Sequence, residues 1–156
     1  MATKLFLLLA ICVLPLLINA RREPFHIIGK VYCDACRAGF ETSKCTYIPG
    51  ARVEINCYDR ITLRLQYSIG ALTDSTGTYN ILVEDDHQDQ LCYATLVSSP
   101  IPSCKIADPR RNKATVILTR SNGAIANLHY ANAMGFLQEK AADGCQELLK
   151  KLLQDD

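Results

Sequence analysis

Cys33 and Cys36, three positions apart, are the residues whose type and spacing first suggest chemistry in this chain. A Cys-x-x-Cys pair can be a redox dithiol, half of a zinc site, or two anchors of separate disulfides. The redox reading needs a βαβ context and a helix N-terminus to lower one thiol pKa. Here Arg37-Ala-Gly-Phe40 follows and no helical pattern does. The zinc reading needs four ligands, which Cys45 and Cys57 could complete, but no second Cys-x-x-Cys matches the first. The spacing is too short for an easy mutual disulfide in an extended chain. Each cysteine therefore reads as a tie from one strand to something distant.

Other candidate groups are sparse. The histidines are His26, His87 and His129, expected at the surface or a sheet edge, and no Gly-x-Ser-x-Gly elbow accompanies them. Glu84, Asp85, Asp86 and Asp89 make an acidic loop without the central glycine and ligand spacing of a calcium loop. It reads as a solvated charge run. Tyr58, Tyr67, Tyr79 and Tyr93 could stack on sugars, or could simply be cross-strand partners. No catalytic set is assembled, so the expectation is no enzyme, no metal and no cofactor.

The elements that must position these groups are mostly strands. Phe25 to Cys33 places Phe25, Ile27, Val31 and Cys33 on one face. After a long connection ending in Pro49-Gly50, Ala51, Val53, Ile55 and Cys57 alternate with Arg52, Glu54, Asn56 and Tyr58. Thr62 to Leu72 alternates again through Leu63, Leu65, Tyr67 and Ile69. Thr73-Asp-Ser-Thr-Gly77 is a turn signal, and strands follow at 78–83, 91–98 and 113–120, with a last one over 124–130. Residues 99–112 read as a surface loop pinned by Cys104. Cys145, Leu148, Leu149, Leu152 and Leu153 fall on one stripe of an amphipathic helix, with Asp143 and Gln146 resembling a capping box. The fold expected is all-β: a small, disulfide-stapled sandwich or barrel of about seven strands with a short C-terminal α-helix.

Residues 1–20 read as a secretory signal peptide: Lys4, an apolar run from Leu5 to Leu17, and Ala20 at the cleavage position. The run is too short to span a membrane, and residues 21–156 form one β domain. The formal net charge of +1 falls to zero when Lys4 is removed. With no basic patch, nucleic acid is not an expected partner. Eight cysteines, less Cys12 in the leader, leave seven, a framework plus one odd thiol in an exported domain. The odd one is Cys45, beside Lys44 in a loop, available for an intermolecular bond and so for a Cys45-linked dimer. No Asn-x-Ser/Thr sequon is present.

The stretch Gly29-Lys-Val-Tyr-Cys-Asp-Ala-Cys-Arg-Ala-Gly-Phe40 resembles the signature of the pollen Ole e I family, carried by Gly29, Val31, Tyr32, Cys33, Asp34, Cys36 and Arg37. The resemblance continues through Ile48-Pro-Gly-Ala51, Thr73-Asp74 to Tyr79, Val83 to His87, Leu96-Val-Ser-Ser-Pro100 and Gly135-Phe136. It implies an exported plant protein with a β-sandwich or barrel and three disulfides: Cys33 to Cys104, Cys36 to Cys145, and Cys57 to Cys92. The chain departs from the family pattern at Cys45, which is extra, and at Ala133, where a proline is usual.

The function expected is that of a secreted, non-enzymatic protein of the plant extracellular space or cell wall. It would be a ligand or wall-binding factor in pollen tube or cell growth, allergenic if made in pollen. The alternative is a wall-polysaccharide-binding module. The partner would be an extracellular receptor or a cell-wall glycan.

Overall fold

A computed structural model describes residues 23–121, 123 and 126–154. The signal peptide expected at residues 1–20 lies outside them, as do Ala124 and Ile125 of the last expected strand. The described strands are β1 (Phe25–Asp34), β2 (Thr46–Tyr47), β3 (Arg52–Asp59), β4 (Leu65–Leu72), β5 (Thr78–Val83), β6 (Gln90–Ser98), β7 (Ile106–Ala107), β8 (Lys113–Val116), β9 (Leu128–Tyr130) and β10 (Met134–Leu137). One helix, α1 (Cys145–Gln154), follows.

β1 organises the first sheet because its two halves pair with different neighbours. Phe25 to Lys30 runs antiparallel to β5, and His26 to Ile28 runs parallel to β9. Beyond them, Val31 to Asp34 runs parallel to β10, while Tyr32 and Cys33 also pair with β2. β7 extends this sheet from β10. The second sheet is antiparallel in the order β4-β3-β6-β8. The alternation along β1, β3, β5 and β6 sends one set of side chains inward from each sheet. Phe25, Ile27, Val31, Tyr79 and Ile81 from the first sheet meet Val53, Ile55, Cys57, Ala94 and Val116 from the second in one core. Burial of each large apolar side chain contributes about 1.5–3 kcal/mol.

The all-β, disulfide-stapled sandwich with a C-terminal helix is the fold expected from sequence. Its details differ in four ways. The extra strands are β2, β7 and β10, of two to four residues, too short to show a period. β4 lies at a sheet edge, where Leu65 and Ile69 are exposed despite their alternation, and Leu63 is exposed in the connection before it, at φ 54°. The helix buries only Cys145; Leu152 and Leu153 are exposed. Gly144, at φ 75°, immediately precedes the helix, displacing the capping box expected at Asp143.

Candidate functional site

The signature segment builds a tight corner where β1 ends. Asp34 is buried, and its carboxylate accepts hydrogen bonds from Cys36 N (3.1 Å) and Gly39 N (2.7 Å). These two bonds wrap the chain around the side chain as an Asx-type turn. Arg37 takes φ 54° in this corner and donates from Nη1 to Gln138 O at 2.6 Å. The structure joins Cys33 to Cys104, Cys36 to Cys145 and Cys57 to Cys92. The first two bridges attach the corner to the 99–112 loop and to α1. Cys45 is the free cysteine among the described residues; it is half-buried, and Thr42 N donates to its Sγ at 3.2 Å. Its neighbour Lys44 donates instead to Asp143 O, at 2.9 Å, tying the loop to the start of the helix.

This corner supports one wall of a groove. Arg111 Nε donates to Gly39 O at 3.0 Å, so Asp34, Gly39 and Arg111 form a relay of contacts. Arg111 lines a hollow of about 260 Å³ with Tyr32, Glu41, Asn132 and Ala133. A second hollow of about 260 Å³, lined by Ile28, Lys30, Thr78, Tyr130 and Ala131, meets the first at Ala133. Together they run along the outward face of β1. Two glycines allow the close packing beneath. A Cβ on Gly135 would lie 2.8 Å from Tyr32 Cζ, and one on Gly29 would overlap the Tyr79 phenol.

The groove is aromatic and polar together. Tyr130 is 77% exposed and Tyr47 41% exposed. Lys30 Nζ sits 4.2 Å from the Tyr47 ring centroid, a cation–π contact, and the Tyr47 hydroxyl donates to the Glu41 carboxylate. That hydrogen bond, more than burial, raises the Tyr47 pKa above the ordinary tyrosine value. Burial pushes Tyr32 up to about 12, against the opposing pull of Arg111. Both phenols are therefore neutral donors at physiological pH. Exposed rings flanked by an ammonium, a guanidinium, a carboxylate and an amide suit a neutral polyhydroxylated ligand. Such a ligand stacks its C–H faces on rings and exchanges hydrogen bonds with the polar rim.

The tyrosines singled out from the sequence lie elsewhere. Tyr79 is fully buried, opposite Gly29, and cannot stack on a ligand. Tyr58 and Tyr93 pair on the second sheet with ring centroids 6.3 Å apart, and Tyr67 packs on His87 at 4.6 Å. His87 is also a correction: it is 7% exposed, folded against the second sheet rather than at the surface. His26 and His129 are half-buried on or beside β1, and burial lowers the His129 pKa. In the acidic loop, Asp86 accepts from Gln88 N and Arg120 N, both at 2.9 Å, which together with the other contacts to its carboxylate keeps its pKa low. Glu84, Asp85 and Asp89 are exposed. Tyr130, which lines the groove, and Tyr47, which touches its Lys30 and Glu41, carry no periodic signal. The glycines at Gly29 and Gly135, inside strands, were the available sign that something packs closely there.

Among the described residues no helix is long and apolar enough to cross a membrane. The family model "Pollen protein Ole e 1 like" matches residues 23–153. The chain is 52% identical to Protein DOWNSTREAM OF FLC of Arabidopsis thaliana, over 97% of this chain and 92% of that one. It is 41% identical to Pollen-specific protein C13 of Zea mays, over 85% and 79%. Among solved structures it is similar to the major plantain pollen allergen Pla l 1, with a TM-score of 0.70 and 27% identity, covering 78% of this chain and 99% of that one. The signature corner, the two-sheet core and these matches agree: the chain belongs to the Ole e 1-like family of pollen proteins.

Proposed function

We propose that this chain is exported behind residues 1–20 and acts, without catalysis, as a wall-binding factor of the plant extracellular space in pollen tube or cell growth. In this reading the outward groove of β1 holds a cell-wall polysaccharide. The observation that carries it is a widely exposed ring, Tyr130, that lines one hollow with Lys30 beside a second hollow lined by Glu41, with Tyr47 touching both Lys30 and Glu41. Export is supported by the leader pattern and by three bridges of a kind that persists in oxidising compartments. A role in pollen or growing tissue is supported by the family and by the Zea mays relative's name.

Two experiments test the reading. N-terminal sequencing of the protein secreted by plant cells is expected to begin at Arg21; intracellular retention of the full chain overturns the export step. Affinity electrophoresis through gels containing wall polysaccharides is expected to retard the wild type. Tyr130→Ala, which removes an exposed ring outside the core, is expected to weaken retardation roughly tenfold, equivalent to about 1.4 kcal/mol. Retention unchanged in Tyr130→Ala removes the groove as the ligand site. Capture by a receptor ectodomain with no polysaccharide binding would place the chain among protein ligands instead.

A further inference from the structure

β4 is the long open edge of the second sheet. Among the described residues it pairs with β3 on one side and with no strand on the other. The opposite edge of that sheet, β8, has four residues, and β2 and β7, at the ends of the first sheet, have two each. Folded proteins blunt an exposed edge with brevity, with lysine or with proline. β4 has eight residues, Leu-Gln-Tyr-Ser-Ile-Gly-Ala-Leu, without a charge or a proline. Its register with β3 shifts between Cys57 and Tyr58, opposite Tyr67 and Leu65, and is unbroken from Tyr67 to Leu72. Among the described residues, the N–H and C=O groups of that run that point away from β3 take no main-chain partner. The side chains leave this edge clear. Ser68 Oγ turns towards β3 and donates to Asn56 Oδ1 at 2.7 Å, and a Cβ on Gly70 would lie 3.0 Å from Glu54 Cγ. On the core face Tyr67 and Ala71 pack half-buried against the hydrophobic cluster, and Ile69 between them is 36% exposed.

We propose that β4 pairs with β4 of a second copy of this chain, antiparallel, about a two-fold axis at Ile69. The charges at the two ends select that partner and that register. Arg64 and Asp74 are both exposed and are equidistant from Ile69 along the chain. In an antiparallel pair centred on Ile69, Arg64 of each copy stands opposite Asp74 of the other, so an opposite-charge pair closes each end. Centring the pair on Ser68 instead sets Arg64 against Leu72 and leaves both charges without a partner. Asp74 keeps its charge because Thr76 and Thr78 donate to its carboxylate, which lowers its pKa. In the Ile69 register Ser68 of one copy faces Gly70 of the other, a pair small enough for the two backbones to close. On the core face Tyr67 faces Ala71, and Ile69 meets Ile69. Leu72 of each copy comes beside Leu65 of the other and covers a side chain that is exposed in the single chain. Roughly six main-chain hydrogen bonds form across the axis, in place of bonds to water. A two-fold contact uses the same edge of both copies, so assembly stops at two. No residue of β4 lines the groove along β1, so each copy keeps its own.

The test uses the full chain without its leader, carrying Cys45→Ser so that no free thiol links two copies. Sedimentation equilibrium across a wide range of protein concentration is expected to show a reversible monomer–dimer equilibrium. Ile69→Lys and Ile69→Glu each set like charges against one another at the axis, and each is expected to weaken the dimer roughly tenfold or more. Melting curves check that both variants keep the sandwich folded. An equal mixture of the two is expected to dimerise again, because lysine then opposes glutamate. In a separate variant, Ile69→Cys is expected to form a disulfide with its own copy in air, since residues directly opposed across strands lie within disulfide reach. Ser68→Cys, which stands opposite Gly70, is expected not to. A wild-type chain that stays monomeric at every concentration, assembly beyond two copies, a mixture that fails to dimerise, or crosslinking through Ser68→Cys in preference to Ile69→Cys would each overturn the pairing. A monomer that binds an extended peptide along β4 would also overturn it and give the edge to a different occupant.

Discussion

Replacing Cys36 and Cys145 together with serine should release α1 from the sandwich, and the size of the effect follows from the connectivity. The bridge spans 109 residues of sequence. The Cys33–Cys104 bridge shortens the loop it actually closes. From Cys36 the path runs three residues back to Cys33, across to Cys104, and 41 residues on to Cys145, about 44 in all. The loop-entropy relation gives about 4 kcal/mol for that length, where the uncorrected span would give nearly 5. For a domain of this size the loss lowers Tm by roughly 10–20 °C. The local consequence is sharper. Cys145 is the buried residue of α1, and isolated helices of this length are marginal in water. The double variant leaves no new free thiol to reshuffle, so calorimetry and hydrogen exchange read the bridge alone. The expected result is a lowered Tm with α1 amides unprotected while those of β3 and β6 stay protected. A wild-type melting curve, or an α1 that remains protected, would refute the reasoning that the bridge is what holds the helix.

Three further outcomes are expected. Tyr79→Phe removes a buried hydroxyl that has no hydrogen-bond partner; urea denaturation should show neutrality or a gain of about 1 kcal/mol, and a clear loss would mean the hydroxyl is satisfied. Burial holds the Tyr32 phenol proton until about pH 12 and raises Tyr79 further, whereas an unfolded tyrosine releases its proton near 10. Stability is therefore full below pH 10 and falls as pH rises from about 10 towards 12, by about 1.4 kcal/mol per pH unit for each such tyrosine, and Tyr79→Phe should shallow that slope. Native alkylation followed by mass spectrometry should label Cys45 alone, and any disulfide-linked dimer should vanish in Cys45→Ser; label on Cys33 or Cys104 would mean those thiols are not paired.

Much of the architecture was legible in the chain itself. Alternation along 25–33, 51–58, 78–83 and 91–98 marked strands because a period of two is a property of the backbone alone. The charge balance and the odd number of cysteines were likewise readable without coordinates. What alternation cannot say is what covers each face. Leu65 and Ile69 alternate as well as Ile55 does, yet they are exposed because β4 has no strand beyond it and lies at the edge. Tyr79 and Tyr130 are both strand tyrosines. Tyr79 is buried because Gly29, opposite it, leaves room for the ring, while Tyr130 stands on the outward face of β1's neighbour.

The candidate sites show the same division. Asp34 with Cys36 and Gly39 builds a local corner whose hydrogen bonds close over short loops. The groove joins Glu41, Arg111 and Asn132, and His87 lies near the Cys57–Cys92 bridge; both depend on which strands lie side by side. Strand pairing is a long-range choice made by burial of whole faces, and neighbouring residues in sequence carry no record of it. Composition and period thus determined an all-β, cysteine-stapled domain. Only the packing of two sheets decided which tyrosine meets solvent and which histidine meets the sulfurs, because proximity across a sandwich is decided by the core that both sheets share.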